Sequence, residues 1–140
     1  MSAIAERYDI EVQDVEYLQH AGTPLLARVY KPRGKGPSPL IVDVHGGAWC
    51  RKDRTSDVAT DEALARSGAV AVALDFRMPP AAKYPASLLD INYAVRWCKA
   101  HAADFGSRSD KVALLGVSSG GHQALLTAMR PNDPRYASIA

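Results

Sequence analysis

Gly116-Val117-Ser118-Ser119-Gly120 sets a serine between two glycines. An apolar run, Lys111-Val112-Ala113-Leu114-Leu115, precedes it, and a helix-like segment, Gly121 to Met129, follows. Strand, G-x-S-x-G, helix is the order that holds a serine in a strained turn with its hydroxyl exposed above a parallel sheet. Gly116 and Gly120 lack a Cβ, so strand and helix can approach closely around that turn. Ser118 is therefore the candidate nucleophile, and the chemistry is acyl transfer. A second segment, His45-Gly46-Gly47-Ala48-Trp49, follows the apolar run Leu40 to Val44. Consecutive glycines let backbone N–H groups turn toward a ligand. A loop at this place supplies donors for charge developing on a carbonyl oxygen, alongside the N–H of the residue after the nucleophile, here Ser119. Alone, a Gly-Gly pair is a turn and a G-x-S-x-G occurs by chance. Both together, in this order and each after an apolar strand, point to a hydrolase.

The elements that must position these residues are legible in the pattern. Val12 to Gln19 and Leu25 to Tyr30 read as strands, with Ala21-Gly22-Thr23-Pro24 as the turn of an antiparallel hairpin at a sheet edge. Pro32 to Pro39 is a Pro- and Gly-rich loop, too short for a domain linker. Leu40 to Val44, Ala69 to Leu74 and Lys111 to Leu115 read as buried strands. Ser56 to Arg66 reads as a helix with Val58, Ala59, Ala63 and Leu64 on its apolar face and Gly68 as its stop. Ser87 to Ala103 is the clearest helix, with Leu88, Ile91, Val95, Cys98 and Ala102 at helical spacing and Gly106 as its stop. The order β-β-β-α-β-α-β-α predicts an α/β fold: a mostly parallel sheet with right-handed crossovers, helices on both faces and an antiparallel N-terminal hairpin. Arg130 to Tyr136 reads as a polar loop, and Ser138-Ile139-Ala140 adds no closing element. The strand carrying the nucleophile is then a sheet edge, an arrangement prone to aggregation. The reading is that residues 1–140 are the N-terminal half of a single domain.

Composition narrows the classes. A chain of 140 residues can bury one core, and 47% hydrophobic with 23% charged residues fits a globular protein. A net charge of +2 with dispersed basic residues gives no argument for nucleic acid. The densest basic cluster, Arg51-Lys52-Asp53-Arg54, reads as a solvated loop. Cys50 and Cys98 do not make a disulfide framework or zinc site, and two reduced thiols suit a cytoplasmic protein. Met1 to Asp9 carries an early acid and no apolar leader. No run approaches the roughly 20 apolar residues of a membrane span. Neither a P-loop nor a G-x-G-x-x-G motif is present, and serine acyl transfer requires no cofactor.

Three segments resemble the α/β-hydrolases of the hormone-sensitive-lipase-like type, the HGG-bearing esterases. They are His45 to Trp49, Leu74 to Pro80 with Tyr84 to Asp90, and Gly116 to His122. The resemblance runs from about Leu26 to about Met129. It implies Ser118 as nucleophile and the N–H groups of Gly46, Gly47 and Ser119 as oxyanion donors. It also implies a small-molecule ester or activated amide as substrate, and a triad acid and histidine after residue 140 or on a partner chain. The Trp49 and Gly120-Gly121-His122 features are also similar to kynurenine formamidases, which cleave an aryl formamide with the same machinery. The chain departs from the family's usual Asp-Ser-Ala-Gly-Gly at Val117 and Ser119, and lacks the glutamate expected after Pro80 as partner of Arg77. Within the chain, His122 shares a helix face with Ser118 but must reach back over the helix start to act as a base. His45 shapes the oxyanion loop, His101 caps its helix, His20 has no assigned role, and Asp75 fixes a loop. Trp49 either lines the substrate pocket or packs beneath its loop. A further reading is a catalytically incomplete fragment that needs a second chain.

Overall fold

Ala21 and Gly22, at φ 48° and 83°, form a two-residue turn between Ile10–His20 (β1) and Thr23–Pro32 (β2). Positive φ at both turn positions matches the twist of paired strands, so this tight turn sets the hairpin register. Then follow Ser38–Val44 (β3), Val58–Arg66 (α1), Val70–Leu74 (β4), Ala86–His101 (α2), Ser107–Gly116 (β5) and Ser119–Met129 (α3). A 3₁₀ turn over Ala102–Phe105 ends on Gly106 at φ 66°, and another spans Pro134–Tyr136. The structure, a computed structural model, describes residues 7–34 and 36–137. The readings for Met1 to Glu6 and for Ser138 to Ala140 lie outside the described residues.

The sheet order is β1-β2-β4-β3-β5. β4, β3 and β5 run parallel, and the hairpin joins antiparallel through β2 against β4. The alternation of β4 divides the two faces. Val70, Val72 and Leu74 join the large core under α2 and α3, while Ala71 and Ala73 join a small cluster with Ala65 of α1. Helices therefore cover both faces, as expected from the element order.

Three details differ from the sequence reading. Strands extend to Pro32 and from Ser38, so the Pro/Gly loop is shorter than its composition suggested. Lys111 to Leu115 is not buried: β5 pairs with β3 alone among the described residues and is half-exposed along its length. The buried face of α1 is Asp61 and Ala65, while Ala59 and Ala63 are exposed.

Asp61 is inside because it meets Asp43, which points to the α1 side of β3 between Val42 and Val44. No N–H or O–H donor among the described residues reaches Asp43 Oδ1 or either oxygen of Asp61. A proton held between the two carboxyls would satisfy these oxygens. Burial pushes Asp43 well above the usual carboxylate range, and the nearby Asp61 and Asp57 raise it further. Burial also raises Asp61, whose hydrogen bond with Asp43 acts the other way.

A folded-state pKa above the unfolded one means that the folded chain binds more protons once the pH passes about 4. Stability from this pair is fullest in acid and is lost as the pH rises through the raised pKa. Urea midpoints are expected to fall from about pH 5 to about pH 9. Asp43→Asn keeps a donor aimed at Asp61 but cannot ionise, so it should flatten that slope. An unchanged slope would show that the pair does not share a proton.

Candidate active site

β5 ends at Gly116 and α3 begins at Ser119, leaving Val117 and Ser118 to make the turn. Ser118 has φ 55° and ψ −121°, a backbone conformation that L-residues hold only when the surroundings impose it. The surroundings are backbone. A Cβ on Gly116 would lie 2.6 Å from the Gly121 Cα and closer still to Gly120 O. A Cβ on Gly120 would lie 2.6 Å from His45 O and closer still to Val44 O. Both glycines are thus fixed by contact, and the Ser118 side chain is left exposed at the C-terminal end of the parallel strands.

The loop after β3 lies against this turn. A Cβ on Gly46 would meet Val117 O at 2.7 Å and the Ser118 Cβ at 3.3 Å, so Gly46 touches the elbow directly. Gly47 is at φ 128°, and its carbonyl accepts the N–H groups of Cys50 (3.1 Å) and Arg51 (2.9 Å). His45 is buried and stacks on Phe76, with ring centroids 4.5 Å apart. Its Nδ1 lies 2.6 Å from Gly46 O; a carbonyl only accepts, so Nδ1 carries the proton. This contact gives His45 the loop-shaping role expected of it. The N–H groups of Gly46, Gly47 and Ser119 donate to no acceptor among the described residues. The structure thus brings together all four residues singled out from the sequence: Ser118, Ser119, Gly46 and Gly47.

Two charge networks hold the surrounding loops, and sequence reasoning saw neither in full. Arg54, from the cluster read as a solvated loop, is largely buried. Its N–H and Nη1 donate to Asp75 at 2.9 and 3.0 Å, and its Nε and Nη2 donate to Asp14 at 3.1 Å each. Asp14 also takes Arg28, and hydrogen bonds from Arg28 and Arg54 hold its carboxyl far below the usual range. Asp75 is the loop anchor expected, and its carbonyl accepts the Tyr17 hydroxyl. Arg77 does have a carboxylate partner: Asp90, whose side chain is fully buried. Asp90 accepts the Arg77 N–H (2.8 Å), Nε (3.0 Å) and Nη2 (3.0 Å), and also His20 Nε2 at 2.9 Å. His20, unassigned from the sequence, belongs to this network.

His122 makes no side-chain contact with Ser118. Its Nδ1 accepts the Trp49 indole N–H at 3.3 Å, and the rings meet edge-on. His101 Nδ1 donates to Trp97 O at 2.9 Å in the last turn of α2, the capping role expected. Trp49 is 52% exposed and lines a pocket of about 140 Å³ with Pro79, Tyr84, Leu88, His122 and Leu126. The pocket is mostly apolar and opens one helical turn from Ser118. Among the described residues no group of His, Cys, Asp and Glu is arranged to hold a metal ion, and no helix is long and apolar enough to cross a membrane.

Neighbouring glycines give a test of the elbow. Gly120→Ala drives a methyl into the Val44 carbonyl and should cost about 3 kcal/mol by chemical denaturation. Gly121→Ala places its Cβ 3.4 Å from Gly116 O, an ordinary contact. Relief of a helical glycine should leave that variant within about 1 kcal/mol of wild type, on the stabilising side. Equal effects at the two positions would refute the interlock.

Comparison with known proteins supplies the lineage. The sequence profile of the family described as BD-FAE matches residues 28–138. The probable carboxylic ester hydrolase LipM of Mycobacterium tuberculosis is 34% identical over 102 residues, which cover 72% of this chain and 24% of LipM. Esterase LipC of the same organism is 35% identical over 71% of this chain and 25% of its own length. A solved esterase from Pyrobaculum calidifontis superposes with a TM-score of 0.81 at 32% identity, over 93% of this chain and 43% of that one. The chain thus spans about a quarter of those two curated relatives and under half of that solved structure. It belongs to the BD-FAE family and carries the N-terminal portion of the α/β-hydrolase fold found in hormone-sensitive-lipase-like esterases.

Proposed function

We propose that the protein is a serine hydrolase that cleaves carboxylic esters through an acyl-enzyme, and that residues 1–140 are the N-terminal half of its single catalytic domain. The observation that carries the reading is the pairing of an exposed, backbone-strained Ser118 with three N–H groups, of Gly46, Gly47 and Ser119, that have no acceptor among the described residues. The names of the relatives, esterases and carboxylic ester hydrolases, support it.

In this mechanism Ser118 Oγ bonds to the ester carbonyl carbon while a histidine takes its proton. The carbonyl electrons move onto oxygen, where the three N–H groups and the start of α3 face the charge. Collapse expels the alcohol, which takes the proton from the histidine. Water then attacks the acyl-enzyme by the same route and releases the acid. The histidine and its acid are proposed to lie on chain beyond residue 140 or on a partner chain. The Trp49–His122 hydrogen bond supports this, because it occupies Nδ1 of the imidazole that follows Ser118 by one helical turn. Trp49 is proposed as a wall of the substrate pocket. The free thiols of Cys50 and Cys98 support a reducing, cytoplasmic setting.

The test is activity-based labelling with a fluorophosphonate beside hydrolysis of short p-nitrophenyl esters. The assembled enzyme should label at Ser118, and Ser118→Ala should abolish labelling and lower kcat by at least about 10⁴-fold. Hydrolysis unchanged in Ser118→Ala would remove the mechanism. An isolated 140-residue chain that lacks its base should label far more slowly than the assembled enzyme. The edge-on Trp49–His122 pair keeps a formamidase reading as the second candidate. It requires N-formyl-kynurenine to be turned over well above the p-nitrophenyl esters, and the reverse ranking excludes it.

A further inference from the structure

The backbone N–H of residue 119 would face an oxyanion whatever its side chain, yet this chain has a hydroxyl there. Ser119 is 4% exposed, and its Oγ accepts the Trp49 N–H at 3.2 Å, across 70 residues of sequence. Trp49 lies two residues after Gly47, in a stretch where Gly47, Ala48 and Trp49 sit at φ 128°, 53° and 66°. Two successive residues with side chains at positive φ do not hold that shape by their own preference. The Trp49 indole is tied to the same helix at His122, three residues on and so on the same face as Ser119. One residue of the loop is thus fastened at two points to the first turn of the helix that begins at the nucleophile.

We propose that the Ser119 hydroxyl is a positioning group for the oxyanion loop: it holds the Trp49 backbone, and through it the Gly46 and Gly47 N–H groups, at a fixed place relative to Ser118. The inference rests on the acyl-transfer reading above. It adds that the side chain of Ser119, separately from its N–H, sets how well the loop meets the transition state. A donor moved by a fraction of an ångström loses most where charge is greatest, so the penalty falls on the transition state rather than on the bound ester.

The experiment compares wild type, Ser119→Ala and Ser119→Cys in the protein as its native cell makes it, with any partner chain retained. Cysteine fills the same space with a poor acceptor, so it opens no cavity. Both variants should lower kcat about tenfold with KM within about twofold of wild type, since an interaction made in the transition state is lost. The fluorophosphonate rate should fall in step, because that reagent also builds charge on an oxygen. The shape of the pH–rate profile should not move, because the base is untouched. Amide exchange at Trp49 should quicken in both variants. Either variant at wild-type kcat, or a loss confined to KM, overturns the positioning role while leaving the acyl-transfer reading intact. Failure of both to fold overturns it too, since the hydroxyl would then serve the fold rather than the loop. A wild type that neither hydrolyses esters nor labels removes the acyl-transfer reading itself, and the inference with it.

Discussion

The carbonyls of Val44 and His45 fill the space that a Cβ on Gly120 would need, and the site is built outward from that close approach. It brings the end of β3 and the start of α3 together as bare backbone. Gly116 lies under Gly120 and Gly121 on one side, and Gly46 lies against Val117 and Ser118 on the other. Side-chain contacts can be repacked by rotamer changes, but contacts between backbones have no such freedom. Ser118, the proposed nucleophile, and the loop proposed to serve it are therefore fixed relative to each other by three glycines, Gly46, Gly116 and Gly120, before any polar interaction is counted.

Polar interactions decide the rest of the loop. Left-handed Ala48 and Trp49 each cost about 1–2 kcal/mol relative to ordinary backbone. The tethers available against that cost are the His45–Gly46 bond, the two N–H groups on the Gly47 carbonyl, the Ser119–Trp49 bond and the Trp49–His122 bond. A neutral hydrogen bond contributes about 0.5–1.5 kcal/mol net. The two sums are of the same order, so the tethers offset the backbone cost without a large surplus. Arg54 adds a charge-assisted anchor farther along, where Asp75 and Asp14 take four of its N–H bonds, its backbone N–H among them.

What the sequence made legible was local. Glycines flanking a serine, paired glycines after an apolar run, and the apolar runs themselves report on the few residues around them. Those signals located every strand, both motifs and the order of elements. The parts that escaped notice are pairings across the chain. Asp90 could not be matched to Arg77 and His20 by spacing, because its partners lie 13 and 70 residues away. Arg54 looked like one more charge in a basic cluster because Asp14 and Asp75 approach it only in the folded sheet. Asp43 passed as a tolerated polar residue in an apolar strand, and Asp61 broke the apolar face assigned to α1. Each made sense only once the other was seen opposite. The half-exposed β5 likewise has the composition of a buried strand, and burial depends on neighbours that composition does not name.

The protein resolves its buried acids in two ways, and the difference bears on how its pH behaviour should be read. Asp90 takes the Arg77 N–H and guanidinium and lies against His20 Nε2, so both its oxygens have hydrogen-bond partners. Among the described residues no donor reaches Asp43 Oδ1 or either oxygen of Asp61, so a proton kept between the two carboxyls would satisfy them. Asp43 sits two residues before His45, on the strand whose end forms the proposed oxyanion loop, and on the opposite face of the sheet from α3. Loss of its proton places charge in a low-dielectric interior, which strains the β3 terminus without touching any reacting atom. Under the acyl-transfer proposal, pH acts on activity in two physically distinct ways in this fold: an acid fall as the histidine base protonates, and an alkaline fall as the strand that carries the proposed oxyanion donors loosens. Only the second is coupled to global stability, so the two separate when activity and unfolding free energy are followed over the same pH range.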